Sequence, residues 1–425
     1  MFARDRESFH SGSLVQNSSP LSAVRPALAD VASDGFDDVP LVVHSHLRWD
    51  FVWQRPQQIF TRLARHHLVA FVEEPVFGDA AAHLAITAPH ENVVRIVPML
   101  PNAARGDVDQ QGEVIAPMLE DAFDEHPLLA RRFDEAVEWF YTPMAARTMQ
   151  GRLGPVGTVY DCMDELAQFR GAPADLSTRE RELLAQADIV FTGGHQLYAR
   201  KSRHHRNVHL FGCGVDADHY AKARDAGTAV PGDVARLPHP VLGYFGVVDE
   251  RLDYALIEAL ANAFPDGSIV IVGPCAKVDP AELPRRPNLH WLGQRSYAEL
   301  PAYTKAFDVC LMPFALNEAT ENINPTKTLE YMAAGKPVVS TAVAAVVRQF
   351  TSIVHVGHDH REFIALAKRA AATPDTERVT RGIERARSST WDAIVDAMRA
   401  HMLAALRARH AAPPVPSTAE QETST

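Results

Sequence analysis

Cysteine is scarce: 425 residues hold four, Cys162, Cys213, Cys275 and Cys310. No two lie close enough for a CxxC pair or a zinc knuckle, which excludes the common sulfur-ligated metal motifs, and no metal site is expected. Each sits in an apolar segment, as buried free thiols in a reducing compartment do. No apolar run reaches the roughly 18–20 residues that span a bilayer. Met1 to Asp38 lack a charged stretch followed by an apolar one, so they do not read as a secretory signal. A basic excess is missing too. The formal net charge is -11, which argues against a general nucleic-acid binder, because such a protein needs a basic face to displace counterions. Phe211-Gly212-Cys213-Gly214 has two glycines of a dinucleotide fingerprint but not the third, and Ala334-Gly335-Lys336 lacks the upstream glycine of a P-loop. The expectation is a cytoplasmic protein.

What is present is a strand–helix alternation, written twice. Hydrophobic residues make up 46% of the chain and charged residues 22%, an ordinary globular balance. At about 100–200 residues per domain, two domains are expected. Short β-branched runs fall at Leu41–Ser45, Leu68–Glu73, Val93–Val97, Val137–Thr142, Thr158–Tyr160, Ile189–Thr192 and Val208–Phe211, with helical stretches such as Gln54–His66 and Leu176–Gln186 between them. Such continuous apolar runs are how buried parallel strands read. Residues 216–240 bring Gly227, Pro231, Gly232, Pro238 and Pro240 without an apolar period, and read as a linker. The alternation then restarts at Val241–Phe245, Ser268–Val272, Leu289–Leu292, Val309–Pro313, Val338–Thr341 and Ile353–Val356. The expected fold class is α/β: residues 39–215 form a first open parallel sheet and 241–389 a second. Residues 1–38 and 411–425 read as disordered tails. A last helix over 390–410 carries Trp391, Ile394, Val395, Met398, Met402 and Leu406 at helical spacing. It packs either back on the first domain or on its own.

One segment carries most of the chemistry. Asn322–Thr341 reads NINPTKTLEYMAAGKPVVST. Asn324 suits an N-cap and Pro325 the first helical position. The N–H groups of Thr326, Lys327 and Thr328 then have no intrahelical acceptor, and together with the helix dipole they form an anion site to which Lys327 adds a full charge. Glu330 and Tyr331 lie three and four places on, so they share a face with Lys327. That face offers a cation for phosphate and a carboxylate for hydroxyls; the plainer reading is a surface ion pair on an ordinary capped helix. Ligands of open α/β sheets bind beyond the carboxyl ends of the strands, where this helix begins.

The segment resembles the donor-binding signature of GT-B glycosyltransferases, in particular the large retaining family of bacterial nucleotide-sugar-dependent enzymes of the family 1 type. HPVLGYFGVVDERLD at 239–253, IVIVGP at 269–274, NLHWLGQRSYAELPAYTKAFDVCLMPF at 288–314 and WDFVWQRPQQIFTRLAR at 49–65 extend the resemblance over about 40–408. It implies two tandem Rossmann-like domains around a cleft, and a nucleoside-diphosphate sugar held mainly by the second. It implies transfer to a glycan or a polyprenyl- or other lipid-linked acceptor with retention, in polysaccharide or glycoconjugate assembly. Glu330 would bind the ribose hydroxyls. The family signature has two Glu residues with seven residues between them; here the first falls on Asn322, with Glu321 one place away, so either Asn322 or Glu321 meets the donor sugar. Gly246 allows close backbone approach to the diphosphate. The basic pair usual in the following loop is reduced to Arg251, which either grips phosphate or pairs with Asp249 or Glu250. Catalytic contacts are thus expected from Glu330, Lys327 and Arg251. The nucleotide sugar is a substrate, and no separate cofactor is expected.

On the acceptor side, His46, Arg48, Trp49 and Arg55 follow the first strand, and Asp161 and Asp164 close another. Each is weighed against a capping or core role. The run Arg200-Lys201-Ser202-Arg203-His204-His205-Arg206 reads as a solvated helix end or as a basic surface making peripheral contact with an anionic membrane. A GT-B-like sugar-nucleotide epimerase and a non-catalytic sugar-nucleotide or partner-binding module are the alternatives, the latter prompted by Asn322.

Overall fold

The computed structural model describes residues 36–169, 171–317, 320, 323 and 326–411. Two sheets stand in tandem. The first is nine-stranded: β1 Leu41–Ser45, β2 Val69–Glu73, β3 Val76–Gly78, β4 His83–His90, β5 Val93–Pro101, β6 Val137–Phe140, β7 Gly157–Cys162, β8 Ile189–Thr192 and β9 Val208–Leu210. Its order is β3-β5-β2-β1-β6-β7-β8-β9, with β4 on β5. The second is β10 Val241–Phe245, β11 Ser268–Val272, β12 Leu289–Gly293, β13 Val309–Met312, β14 Val338–Thr341 and β15 His355–Gly357, in the order β12-β11-β10-β13-β14-β15. All pairings in the second sheet are parallel. In both, the first strand lies centrally and the order reverses beside it, which opens a crevice above its carboxyl end.

The strands form where they were expected because their residues are apolar on both faces. β1, β2, β10, β11, β13 and β14 are buried at every position. Three features went unread in the sequence. The first sheet is not wholly parallel: β4 runs antiparallel to β5 at the edge, half-exposed and too polar to show as a buried run. A helix at Val108–Glu125 tolerates Pro117 in its interior. Residues 216–240 are no free linker: they hold a helix at Ala217–Ala221 capped by Asp216, and Tyr220, Ala223 and Val234 are buried in the second domain's core. Those anchors lack a repeat, so no periodicity revealed them.

The final helix, Trp391–Ala411, lies on the first domain. Trp391, Val395, Met398, Met402, Leu403 and Leu406 join the core of Leu41, Val43, Phe60 and Trp139. At about 1.5–3 kcal/mol per buried large apolar side chain, this strap holds far more strongly than its ion pairs. The chain therefore crosses between domains twice, and the crossings touch: Val215 N–H donates to Ser389 O at 2.9 Å and Trp391 N–H to Val215 O at 3.3 Å. A Cβ on Gly214 would stand 2.8 Å from the Trp391 nitrogen, so only glycine fits this junction.

Candidate functional site

The carboxyl end of β10 and the helix Thr326–Ala333 are locked together. The Phe245 N–H donates to the Tyr331 hydroxyl at 3.0 Å. The Thr328 hydroxyl donates to the Met312 sulfur at 3.4 Å. Tyr331 and Thr328 are fully buried, so Tyr331 does not share the open face with Lys327 as its spacing suggested. Thr328 can offer a ligand only its backbone. Lys327 does face the opening: its Nζ lies 2.8 Å from Glu330 Oε2 and 5.0 Å from the Phe245 ring centroid. Glu330 is itself buried, at 6% exposure, and thus sits at the floor. Thr326 begins the helix half-buried. Glu321, Asn322, Asn324 and Pro325 lie outside the described residues, so the first-acid position and the cap are not placed.

Two loops wall the opening. Gly246 has φ +155° and Gly273 φ +148°, backbone values that favour glycine. A Cβ on Gly273 would lie 1.8 Å from the Gly246 oxygen. The loops then run side by side, with Val248 N–H donating to Pro274 O and Ala276 N–H to Val248 O, both at 2.9 Å. Arg251 follows. Its Nε and Nη2 are engaged by Asp249, the latter at 2.7 Å, so in this state the guanidinium is held by its neighbour.

Of the acceptor-side residues, four have internal roles instead. Arg48 bonds Glu73 at 3.0 Å. Trp49 is 5% exposed, packs edge-on against Phe71 and donates its N–H to Glu73 at 2.9 Å. Arg55 and Asp161 form a buried pair at 3.0 Å, and Arg55 also donates to the carbonyls of Phe211 at 2.9 Å and Gly212 at 3.3 Å. Arg55 thereby ties the strand ends to the chain leaving for the second domain. Residues just beyond a strand end need not face the cleft when a buried carboxylate there requires a cation.

His46 and Asp164 remain in the cleft. Burial pushes the His46 imidazole down to about 4; a hydrogen bond to the Tyr141 backbone opposes this and the Lys277 charge adds to it. His46 is therefore neutral near pH 7, and its buried Nδ1 has no hydrogen-bond partner among the described residues. Burial raises the Asp164 carboxyl above its usual range, against the pull of Arg251, Arg55 and Lys277. Arg251 and Lys277 come from the opposite domain, so Asp164 feels charge across the gap. Cys213 lies near Arg55, Asp164, Glu330 and Lys327, and burial raises its thiol to about 11. Sequence reasoning missed Lys277, which stands in no motif, and Cys213, which it met only inside an incomplete glycine fingerprint. It also missed Tyr297, which stacks on Trp53 at 5.7 Å and on His219 at 4.2 Å and accepts from Gln58 at 3.1 Å. That stack joins the domains beside the hinge.

In the basic run His205 bonds Ala187 O at 2.9 Å, and just beyond it His209 bonds Asn207 at 2.8 Å. Lys201 is buried between Glu165 and Glu180. Among the described residues no group of three potential metal ligands occurs, and no helix is long and apolar enough to cross a membrane.

Residues 239–372 match the family described as Glycosyl transferases group 1. TuaH of Bacillus subtilis (strain 168), assigned by name to teichuronic acid biosynthesis as a glycosyltransferase, is 32% identical over 163 residues. That match takes in 36% of this chain, and the chain spans about two fifths, 41%, of the relative's length. Among solved structures, sucrose-phosphate synthase from Thermosynechococcus elongatus superposes with a TM-score of 0.61 at 18% identity, over 87% of this chain and 99% of that one. An E. coli trehalose-6-phosphate protein bound with UDP-2-fluoro glucose gives 0.60 at 15%, over 88% and 100%. These likenesses show the fold: GT-B, two tandem Rossmann-like domains with a cleft between them.

Proposed function

We propose that this chain, a GT-B protein whose second domain is of the glycosyl transferases group 1 type, moves a sugar from a nucleoside-diphosphate sugar to an acceptor in the interdomain cleft. The observation that carries the reading is the buried-floor pair Lys327–Glu330, 2.8 Å apart, at the start of a helix that opens onto the glycine loops at Gly246 and Gly273. A diphosphate there meets the helix N-terminus, Lys327 and Arg251, which offset the charge that develops as it leaves. Thr326 and Thr328 contribute backbone N–H groups. Glu330 faces the ribose hydroxyls, and one residue of the Glu321–Asn322 pair the donor sugar.

On the other wall the neutral imidazole of His46 and the carboxyl of Asp164 receive the acceptor hydroxyl. Its proton passes to the departing phosphate oxygen, which fits transfer with retention. The transfer calls for no separate cofactor. Closing the two domains keeps water from the donor. The acceptor is a glycan or lipid-linked saccharide in polysaccharide assembly, met at the inner face of the membrane. TuaH's name supports the polymer context. The exposed Tyr198, followed in sequence by the exposed Arg203 and Arg206, supports a peripheral contact.

A thermal-shift screen of UDP-, GDP-, ADP- and dTDP-sugars tests the reading, repeated on Lys327→Ala and Glu330→Ala. One donor class is expected to raise the unfolding midpoint of the wild-type chain, since a ligand that binds only the native state stabilises it. Both substitutions should remove most of that rise. A wild-type chain that none of the donors stabilises would overturn the assignment.

A further inference from the structure

Among the described residues, the cations nearest the donor helix are already engaged. The loop after β10 offers Arg251 alone, and Asp249 already takes its Nε and Nη2. Lys327 is held by Glu330. A nucleoside diphosphate is multiply charged and must draw these groups from their carboxylates. The neighbouring loop, which leaves β11 beside the Gly246 loop, carries a further cation on the same wall. Lys277 has φ +61°, a left-handed backbone uncommon outside glycine. Its Nζ reaches across the gap to 5.2 Å from the Phe169 ring centroid in the first domain. On its own side it lies 3.6 Å from Glu250 Oε1. His46 and Asp164, on the facing wall, both feel its charge, and Asp164 feels Arg251 as well.

We infer that Lys277 is the third cation of the diphosphate subsite, contacting the donor's phosphates together with Arg251 and Lys327. The inference rests on the glycosyltransferase reading above and supplies, from a different strand's loop, the basic partner that the 247–251 loop lacks. The ion pair with Glu250 is long and the Lys277 side chain is 46% exposed, so that pair is worth little and exchanges readily for a phosphate. The contact with Phe169 gives Lys277 a second effect: a phosphate bound here sits where the two domains meet, and so favours their closed arrangement.

The test is calorimetric titration of the full chain with UDP, GDP, ADP and dTDP. It continues with the tightest of them and the matching nucleoside monophosphate on Lys277→Met and Lys277→Arg. Lys277→Met should weaken the diphosphate by about ten-fold or more, the scale of a lost hydrogen bond to a charged group. Monophosphate affinity should stay level, and Lys277→Arg should restore most of the loss. Unfolding midpoints of the variants check that the fold is intact. Unchanged diphosphate affinity in Lys277→Met overturns the inference, and so does a raised KM for the acceptor with donor binding intact. A wild-type chain that binds none of the four diphosphates sinks the glycosyltransferase reading itself, a distinguishable failure.

Discussion

Lys327 and Glu330 are paired at 2.8 Å on one turn of a helix, with the carboxylate deeper than the ammonium: their side chains are 9% and 21% exposed, Glu330 the lower. The depth order assigns different work to each. The ammonium is placed to exchange its carboxylate for phosphate, while the carboxylate stays to accept from hydroxyls. Lys327→Met should therefore weaken nucleoside diphosphate binding by roughly ten-fold or more yet keep the preference for a ribose over a 2′,3′-dideoxyribose. Glu330→Ala should erase that preference, since each lost charged hydrogen bond costs about 1.5–3 kcal/mol. Competitive titration with the paired nucleotides reads both. Equal behaviour of the two variants would contradict separate roles.

The Arg55–Asp161 pair is a structural prediction in its own right. Both side chains are nearly inaccessible, at 4% and 0%. Asp161→Ala leaves a buried guanidinium with the carbonyls of Phe211 and Gly212 and the Met398 sulfur but no counter-charge, and should cost about 3–5 kcal/mol. Chemical denaturation followed by the tryptophan signal of the first domain measures it. Replacing both residues by apolar ones of similar volume should cost much less. Equal losses in the single and double variants would show that Arg55 acts mainly through its carbonyl contacts.

Much of this was legible in the sequence, and the reasons differ by element. Buried parallel strands announce themselves because both faces are apolar; β10 and β13 could be placed to within a residue. Lys327 and Glu330 were legible because helix spacing fixes a shared face. Tyr331 has the same spacing and was misplaced, since the period cannot tell which edge of a face meets the sheet. Arg48, Trp49, Arg55 and Asp161 carry the residue types of a binding site, but their partners are distant in sequence: Glu73 for the first two, and each other for the last two. Lys277 was invisible for a related reason. Its importance comes from the loop beside it and from Phe169 across the gap, neither of which is local.

The glycine contact between the two loops sets the shape of the wall. Gly273→Ala would bring a methyl group to 1.8 Å from the Gly246 oxygen, and its φ of +148° disfavours any side chain. The loops must separate, so Gly246, Arg251 and Lys277 should lose their common geometry. The expected outcome is loss of nucleotide binding together with destabilisation of about 1–3 kcal/mol, the usual cost of a forced backbone. Gly232→Ala is the control, since among the described residues none beyond its chain neighbours lies within 4 Å of its would-be Cβ. Nucleotide titration and denaturation of the two variants side by side separate a local effect from a general one.

Glu138 provides a pH-dependent prediction away from the cleft. It is fully buried in β6, accepts from Gly151 N–H at 3.0 Å through Oε2, and leaves Oε1 without a partner among the described residues. Burial raises its carboxyl to about 7, with the Gly151 hydrogen bond opposing. The folded value thus exceeds the unfolded one of 4.5. Between them the unfolded chain has released its proton and the native chain keeps it, so stability from this group falls as pH rises through that window. Below 4.5 both states are protonated and there is no penalty; above about 7 the native state carries the full cost of a buried charge. Glu138→Gln keeps an oxygen for Gly151 and removes the charge. It should leave the unfolding midpoint near wild type at pH 5 and raise it at pH 8. Midpoints measured across that range decide the matter: a wild-type and variant difference that does not grow with pH would mean that Glu138 is not the group that titrates.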